Sequence, residues 1–152
     1  NETKNGEFTV VDINNNRQAI TLLSGDPTGW KLVYKFPYGT ALITLLIRGR
    51  TGTRRNGSPI IATIAIGSPA QIGDGTSWNS IEKIALGASS TKQVALAVRN
   101  DNTIGIYYNF PGSEYTQIEM LGTCAIGNSG AVDIRTTITQ EDPTTFTQYM
   151  IA

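Results

Sequence analysis

Four acidic residues in turn-like stretches, Asp74, Glu114, Glu141 and Asp142, are the chain's candidates for general acid–base work. Glycoside cleavage needs two carboxyl groups on either side of a sugar, and these loop acids are the ones available for it. Other catalytic templates fail on inventory. The sequence has no histidine, so neither a Ser–His nor a Cys–His pair can form, and the usual base for neutral pH is missing. The single cysteine, Cys124, excludes an intrachain disulfide framework. It lies in an alternating apolar run without a basic neighbour, the setting of a buried, inert thiol. Gly49-Arg50-Thr51-Gly52 lacks the Gly-Lys-Ser/Thr ending of a phosphate loop, and no helix follows it. Zinc needs ligands that this composition lacks, and Asp74 or Asp101-Asn102 falls short of the oxygen set of a calcium loop. Neither a metal nor a cofactor is expected, and solvated loop acids are the plainer reading of the four carboxylates.

Binding chemistry is better represented. Arg50, Arg54 and Arg55 share one glycine-marked loop and offer planar donors suited to phosphate or carboxylate groups. The competing reading is a solvated loop, or an ion-pairing contact to a neighbouring subunit. Trp78, beside Asp74, Thr76 and Asn79, offers a ring for stacking on a sugar and polar groups for its hydroxyls, although a Trp after a loop also serves as a core plug. Tyr107, Tyr108 and Tyr115 are either anchors of a binding surface or packing residues on a β surface. The ligand-binding candidates are therefore Trp78, Asp74, Asn79, Arg50, Arg54, Arg55 and Tyr115. Trp30 begins a strand with Leu32 and Tyr34 on its face and reads as core or interface.

The elements that must hold these residues are strands. The chain of 152 residues carries 16 glycines and is plentiful in Thr, Ile, Ala and Asn, a profile of β structure and turns. Ala41 to Arg48 and Ile60 to Ile66 are the two most apolar segments, joined by the arginine loop. Alternation puts Ala41, Ile43, Leu45 and Ile47 on one face, but the opposite face, with Leu42, Thr44, Leu46 and at its polar end Arg48, is also largely apolar. An ordinary antiparallel sheet wets that face, so a second layer or a neighbouring copy is expected to cover it. Asn100-Asp101-Asn102 reads as the turn of a hairpin between Val94–Val98 and Thr103–Phe110, and Ser80–Leu86 as a strand closed by Gly87. Val132 to Ile138 is the clearest amphipathic strand, and Phe146 to Ile151 a final one. Eight to eleven strands between turn signals predict an all-β sandwich or barrel. Ser24-Gly25-Asp26-Pro27 marks the best boundary, separating residues 1–26, which have no core of their own, from a globular unit at 27–152.

Twelve basic residues balance twelve acidic ones, leaving no net field to draw nucleic acid or an anionic membrane. No apolar run approaches the roughly 20 residues of a membrane span. The chain opens on Asn1 rather than Met and reads as a fragment or processed product.

A short strand-turn-strand prefix ending in Ser24-Gly25-Asp26, then Gly29-Trp30-Lys31-Leu32, then glycine-punctuated strands, resembles the distal end of a bacteriophage tail fibre of the long or L-shaped type. The resemblance implies that 1–26 end a fibre shaft and that 27–152 form a receptor-binding head, a sandwich or jelly roll assembled as an intertwined homotrimer. It further implies a virion protein that attaches to bacterial surface polysaccharide, such as lipopolysaccharide O-antigen, or to an outer-membrane receptor, without catalysis. Some relatives of this kind lose a C-terminal intramolecular chaperone after trimerisation. The rival readings are a polysaccharide-degrading tailspike domain, a capsid or decoration subunit, and a carbohydrate-binding module.

Overall fold

The computed structural model describes residues 17–23, 26–38, 41–51, 58–67, 72–73, 79–86, 93–110, 116–125 and 135–152. Ten strands stand among them. They are β1 (Arg17–Leu22), β2 (Gly29–Pro37), β3 (Ala41–Thr51), β4 (Ser58–Ile66), β5 (Asn79–Leu86), β6 (Val94–Val98), β7 (Thr103–Phe110), β8 (Thr116–Ala125), β9 (Arg135–Gln140) and β10 (Tyr149–Ile151). They form two five-stranded antiparallel sheets, one ordered β1-β8-β3-β4-β5 (sheet A), the other β10-β6-β7-β2-β9 (sheet B). No helix among the described residues is long and apolar enough to cross a membrane.

The alternation read from the two apolar segments sets the core. Leu45 and Ile47 on β3, with Ile60, Ala62, Ile64 and Ile66 on β4, are buried in the main apolar cluster. Val33, Tyr34, Phe36, Ile104, Ile106, Tyr108 and Phe110 of sheet B belong to the same cluster. The Tyr34 hydroxyl crosses from one sheet to the other and donates to the Met120 carbonyl. The predicted hairpin is present as β6 and β7, with Asn102 in the left-handed region at φ 63, a conformation Asn tolerates better than most residues.

β1, upstream of the boundary expected at residue 26, belongs to sheet A. Arg17 to Leu22 pair antiparallel with β8, from Arg17 opposite Leu121 to Leu22 opposite Thr116. Ile20 and Leu22 are buried in the main apolar cluster, so this stretch shares the core of the two sheets. Residues 1–16 of the expected shaft lie outside the described residues.

The middle of sheet B is buried on both faces. On its outer side Leu32, Ala95, Ala97 and Tyr107 form a second small core, and Trp30, Phe146 and Ile151 pack against it. One strand serves both sides because the register of β2 shifts between Leu32 and Tyr34. A bulge of this kind breaks the alternation and lets two successive residues face one way. Val33 and Tyr34 accordingly both enter the main core. This corrects the expectation that Trp30, Leu32 and Tyr34 share a face: the first two belong to the outer cluster and Tyr34 to the inner one. Tyr107 lies along its own strand over Gly105, where a Cβ would stand 2.6 Å from the Tyr107 hydroxyl and 2.8 Å from Leu32 Cδ1. Only glycine leaves room for that ring.

Gly105→Ala is therefore expected to cost about 1–3 kcal/mol, the range for overpacking a close-packed site. Tyr34→Phe, which removes one inter-sheet hydrogen bond, is expected to cost about 1 kcal/mol. Urea unfolding of both variants checks the order, and a Gly105→Ala cost below that of Tyr34→Phe contradicts the packing described.

Candidate functional site

The outer face of sheet A is built by the residues that alternate with its core positions. Thr44 and Arg48 on β3 are exposed, as are Gln117 on β8, Ala19 and Thr21 on β1, and Ala65 on β4, while Leu46, Ile61, Thr63 and Leu121 are half-buried. Two rows of cross-strand neighbours run across one end of this face. Thr21, Gln117, Arg50 and Pro59 stand opposite one another in the first, and Ala19, Glu119, Arg48 and Ile61 in the second. Together they line a groove of about 540 Å³.

Side chains two apart on a strand share a face and lie roughly 7 Å apart, which sets the spacing of Arg48 and Arg50. Arg48 is held against its cross-strand neighbour, with Nε at 2.9 Å and the terminal nitrogen at 2.6 Å from one Glu119 carboxylate oxygen. The pair is open on one side: the Arg48 side chain is 59% exposed and that of Glu119 18%. Between the arginines, Gly49 brings β8 close. A Cβ there would stand 2.1 Å from the Gln117 carbonyl oxygen and 2.7 Å from Ile118 Cα. The groove thus joins cationic and amide donors and a hydroxyl to the aliphatic surfaces of Pro59 and Ile61, a combination that fits the two sides of a sugar.

Among the sequence candidates, Arg50 lines this groove. Asn79 lies elsewhere and is withdrawn from solvent at 4% exposure. Its side-chain oxygen accepts the Gly67 N–H at 3.1 Å, tying together the ends of the connection between β4 and β5. Arg54, Arg55, Asp74, Trp78 and Tyr115 lie outside the described residues. Tyr107 and Tyr108 are fully buried, so both pack. Arg48, Gln117, Glu119, Thr21 and Ile61 are additions from the fold. The spacing Arg48-Gly49-Arg50 was the available signal for the first of them, since both arginines had to share one face of a strand. The others needed the strand order.

Glu141 and Asp142, the two acids considered for catalysis that lie among the described residues, have other employment. Glu141 receives a two-point contact from Arg99, at 2.8 and 3.0 Å, and the Tyr107 hydroxyl donates to one of its oxygens at 2.5 Å. Arg99 also donates to Asp101 at 2.8 Å and to the Thr103 hydroxyl at 2.7 Å. The Arg99 hydrogen bonds hold the Glu141 carboxyl below the usual range against the opposing effect of burial. The Thr103 hydroxyl does the same, as the leading cause, for Asp101. Burial first, and then Glu141, pushes the Tyr107 hydroxyl well above its ordinary value. A raised catalytic acid is absent from this cluster, and its buried tyrosine faces a lowered carboxylate. Asp142 caps the 3-10 turn Pro143–Thr145 by accepting the Thr144 N–H at 2.9 Å and the Thr144 hydroxyl at 2.7 Å. A small cleft of about 290 Å³ adjoins these residues, lined by Gly29, Trp30, Gln140, Glu141 and Asp142. The Gln140 amide there is spanned by Lys31 and by the Thr28 carbonyl. Asp74 and Glu114 lie outside the described residues. Among the described residues, no group of three or more His, Cys, Asp or Glu side chains is placed to hold a metal ion.

Because Glu141 is easier to ionise in the fold than in the unfolded chain, its contribution is complete above the unfolded carboxyl value, about 4.3, and fades as pH falls through the lower folded value. Glu141→Gln is expected to cost about 2 kcal/mol at neutral pH. It should also flatten the loss of stability between about pH 5 and pH 3. Urea midpoints across that range test this, and an acid limb unchanged by the substitution contradicts it. Comparison with known protein families, curated protein sequences and solved structures yields no match for this chain.

Proposed function

We propose that this chain is the receptor-binding tip of a bacteriophage tail fibre, a non-catalytic adhesin that attaches the distal end of the fibre to bacterial surface polysaccharide. The observation that carries the reading is the groove on the outer face of sheet A, where Arg48, Arg50, Gln117 and Thr21 rise beside Pro59 and Ile61. Polar groups that fix hydroxyls beside aliphatic surface for the sugar's C–H face form a site for a saccharide, and sheet A supplies both without a cofactor. The arginine loop read over residues 50–56 begins within β3 at the groove end of sheet A, whereas residues 74–79 lead into β5 beside the far end of β4, so in this reading the arginine loop supplies the variable contact next to a fixed strand platform.

In the same reading the chain works as a homotrimer on the virion. The half of the outer face away from the arginines carries Leu46, Leu121, Thr63 and Ala65, a strip suited to closure around a threefold axis. The nested pairings of β1 with β8 and of β2 with β7 support a jelly-roll-like description of that half of the head, while β3, β4 and β5 run as a meander. Three sites per fibre raise modest single-site affinity through effective concentration.

Fluorescently labelled chain should bind strains that display O-antigen and fail to bind strains stripped of it. The purified chain should sediment as a trimer and leave the polysaccharide at its original length. Binding that ignores the polysaccharide sinks the sugar-receptor reading, shortened polysaccharide replaces the adhesin with an enzyme, and a monomeric chain removes the trimer.

A further inference from the structure

The small cleft beside Trp30 gathers a ring, an amide and carboxylates at one end of sheet B. Gly29, Trp30, Gln140, Glu141 and Asp142 line about 290 Å³ where β2 begins and β9 ends. We propose that this cleft is a binding site for a neutral hexose unit, with the Trp30 indole as its stacking surface and Gln140 and Asp142 as the groups that take its hydroxyls. The site is separate from the groove on sheet A and goes beyond the reading built on that groove.

The platform comes first. Trp30 is half-buried: it packs against the outer cluster of Leu32, Ala95, Ala97 and Tyr107, and it also lines the cleft. A ring held from behind in this way loses little freedom when the C–H face of a sugar settles on it. Its backbone is fixed as well, since the Glu141 N–H donates to the Trp30 carbonyl at 3.2 Å. Directly opposite Trp30 on β7 stands Asn109, half-buried, so a further amide borders the indole on the flank away from β9. The polar groups come next. Gln140 Oε1 accepts from the Lys31 ammonium at 2.5 Å, and its Nε2 donates to the Thr28 carbonyl at 2.7 Å. One N–H of that amide remains, oriented by the other two contacts. Gly29 makes room for it: at φ 101, a Cβ there would stand 3.1 Å from Gln140 Nε2. Asp142 spends Oδ1 on the cap of the 3-10 turn, where it accepts both the N–H and the hydroxyl of Thr144, so Oδ2 is left as an acceptor. A sugar hydroxyl both donates and accepts, and a fixed N–H beside a fixed carboxylate oxygen matches it. Charged ligands fit less well. An anion would meet two carboxylates, and a cation would find the charge of Glu141 already matched by the two-point contact from Arg99.

The test uses the full chain, isotope-labelled at nitrogen, and three probes at equal concentration: methyl glucoside, methyl galactoside and glucosamine. One or both neutral glycosides should shift the Trp30 indole N–H and the amides of Glu141 and Thr144 saturably, with an affinity that high salt leaves unchanged. Glucosamine should bind no more tightly than they do. Asp142→Asn keeps an oxygen for the turn but loses the carboxylate, and should weaken binding roughly tenfold. Trp30→Phe keeps most of the packing and should weaken binding several-fold; if that variant fails to melt cooperatively, Asp142→Asn decides alone. No saturable shift by either glycoside, shifts that fall on Thr21 and Gln117 in the sheet A groove instead, or binding unchanged by Asp142→Asn overturns the assignment. Glucosamine held more tightly than the glycosides and released by salt marks a cation site, and overturns the neutral-hexose assignment equally.

Discussion

The register shift in β2 is the constraint on which the architecture turns. With regular alternation the strand would serve one buried face and one wet one. Advancing by one residue at Val33 sends Trp30 and Leu32 outward, and Val33, Tyr34 and Phe36 inward. The inward group closes the space between the sheets, and Tyr34 ties β2 to the middle of β8. The outward pair gives the C-terminal segment something apolar to lie on. Phe146 and Ile151 settle there, and Glu141 at the start of that segment is clamped by Arg99 and Tyr107. Among the described residues the middle of sheet B is consequently occupied on both sides, while the outer face of sheet A carries exposed side chains.

How much of this was legible depended on whether the determining contacts were local. The two apolar runs, the Asn100–Asn102 turn and the strand character of Ser80–Leu86 follow from alternation and turn chemistry, which act over a few residues. The clamp does not. Arg99 and Glu141 lie 42 residues apart, and Tyr107 and Glu141 34, so as sequence Glu141 was indistinguishable from a solvated loop acid. The same holds for β1. Its apolar alternation was plain, but that Ile20 pairs with Ile118 requires knowing which strand comes to lie beside it. The shift in β2 leaves no compositional mark, since Leu32, Val33 and Tyr34 suit a strand in either register.

The candidate site was half legible for the same reason. Arg50 stood out as part of an arginine cluster, while Arg48 read as the polar end of a mostly apolar strand. Their significance comes from Glu119 and Gln117, about seventy residues on, which only the pairing of β3 with β8 brings alongside. A platform assembled from four strands has no contiguous signature. Its loops do, and those drew the attention first.

The edge position of β1 has a mechanical consequence. Six residues, Arg17 to Leu22, connect this strand to β8 through a ladder whose hydrogen bonds lie across the strand direction. Tension applied at Arg17 along the strand therefore loads those bonds in shear, so that they share the force instead of opening one after another. The load passes into β8 and from there into β3, the two strands that carry Gln117, Glu119, Arg48 and Arg50. The edge strand β1 and the strands that form the groove belong to one continuous load path.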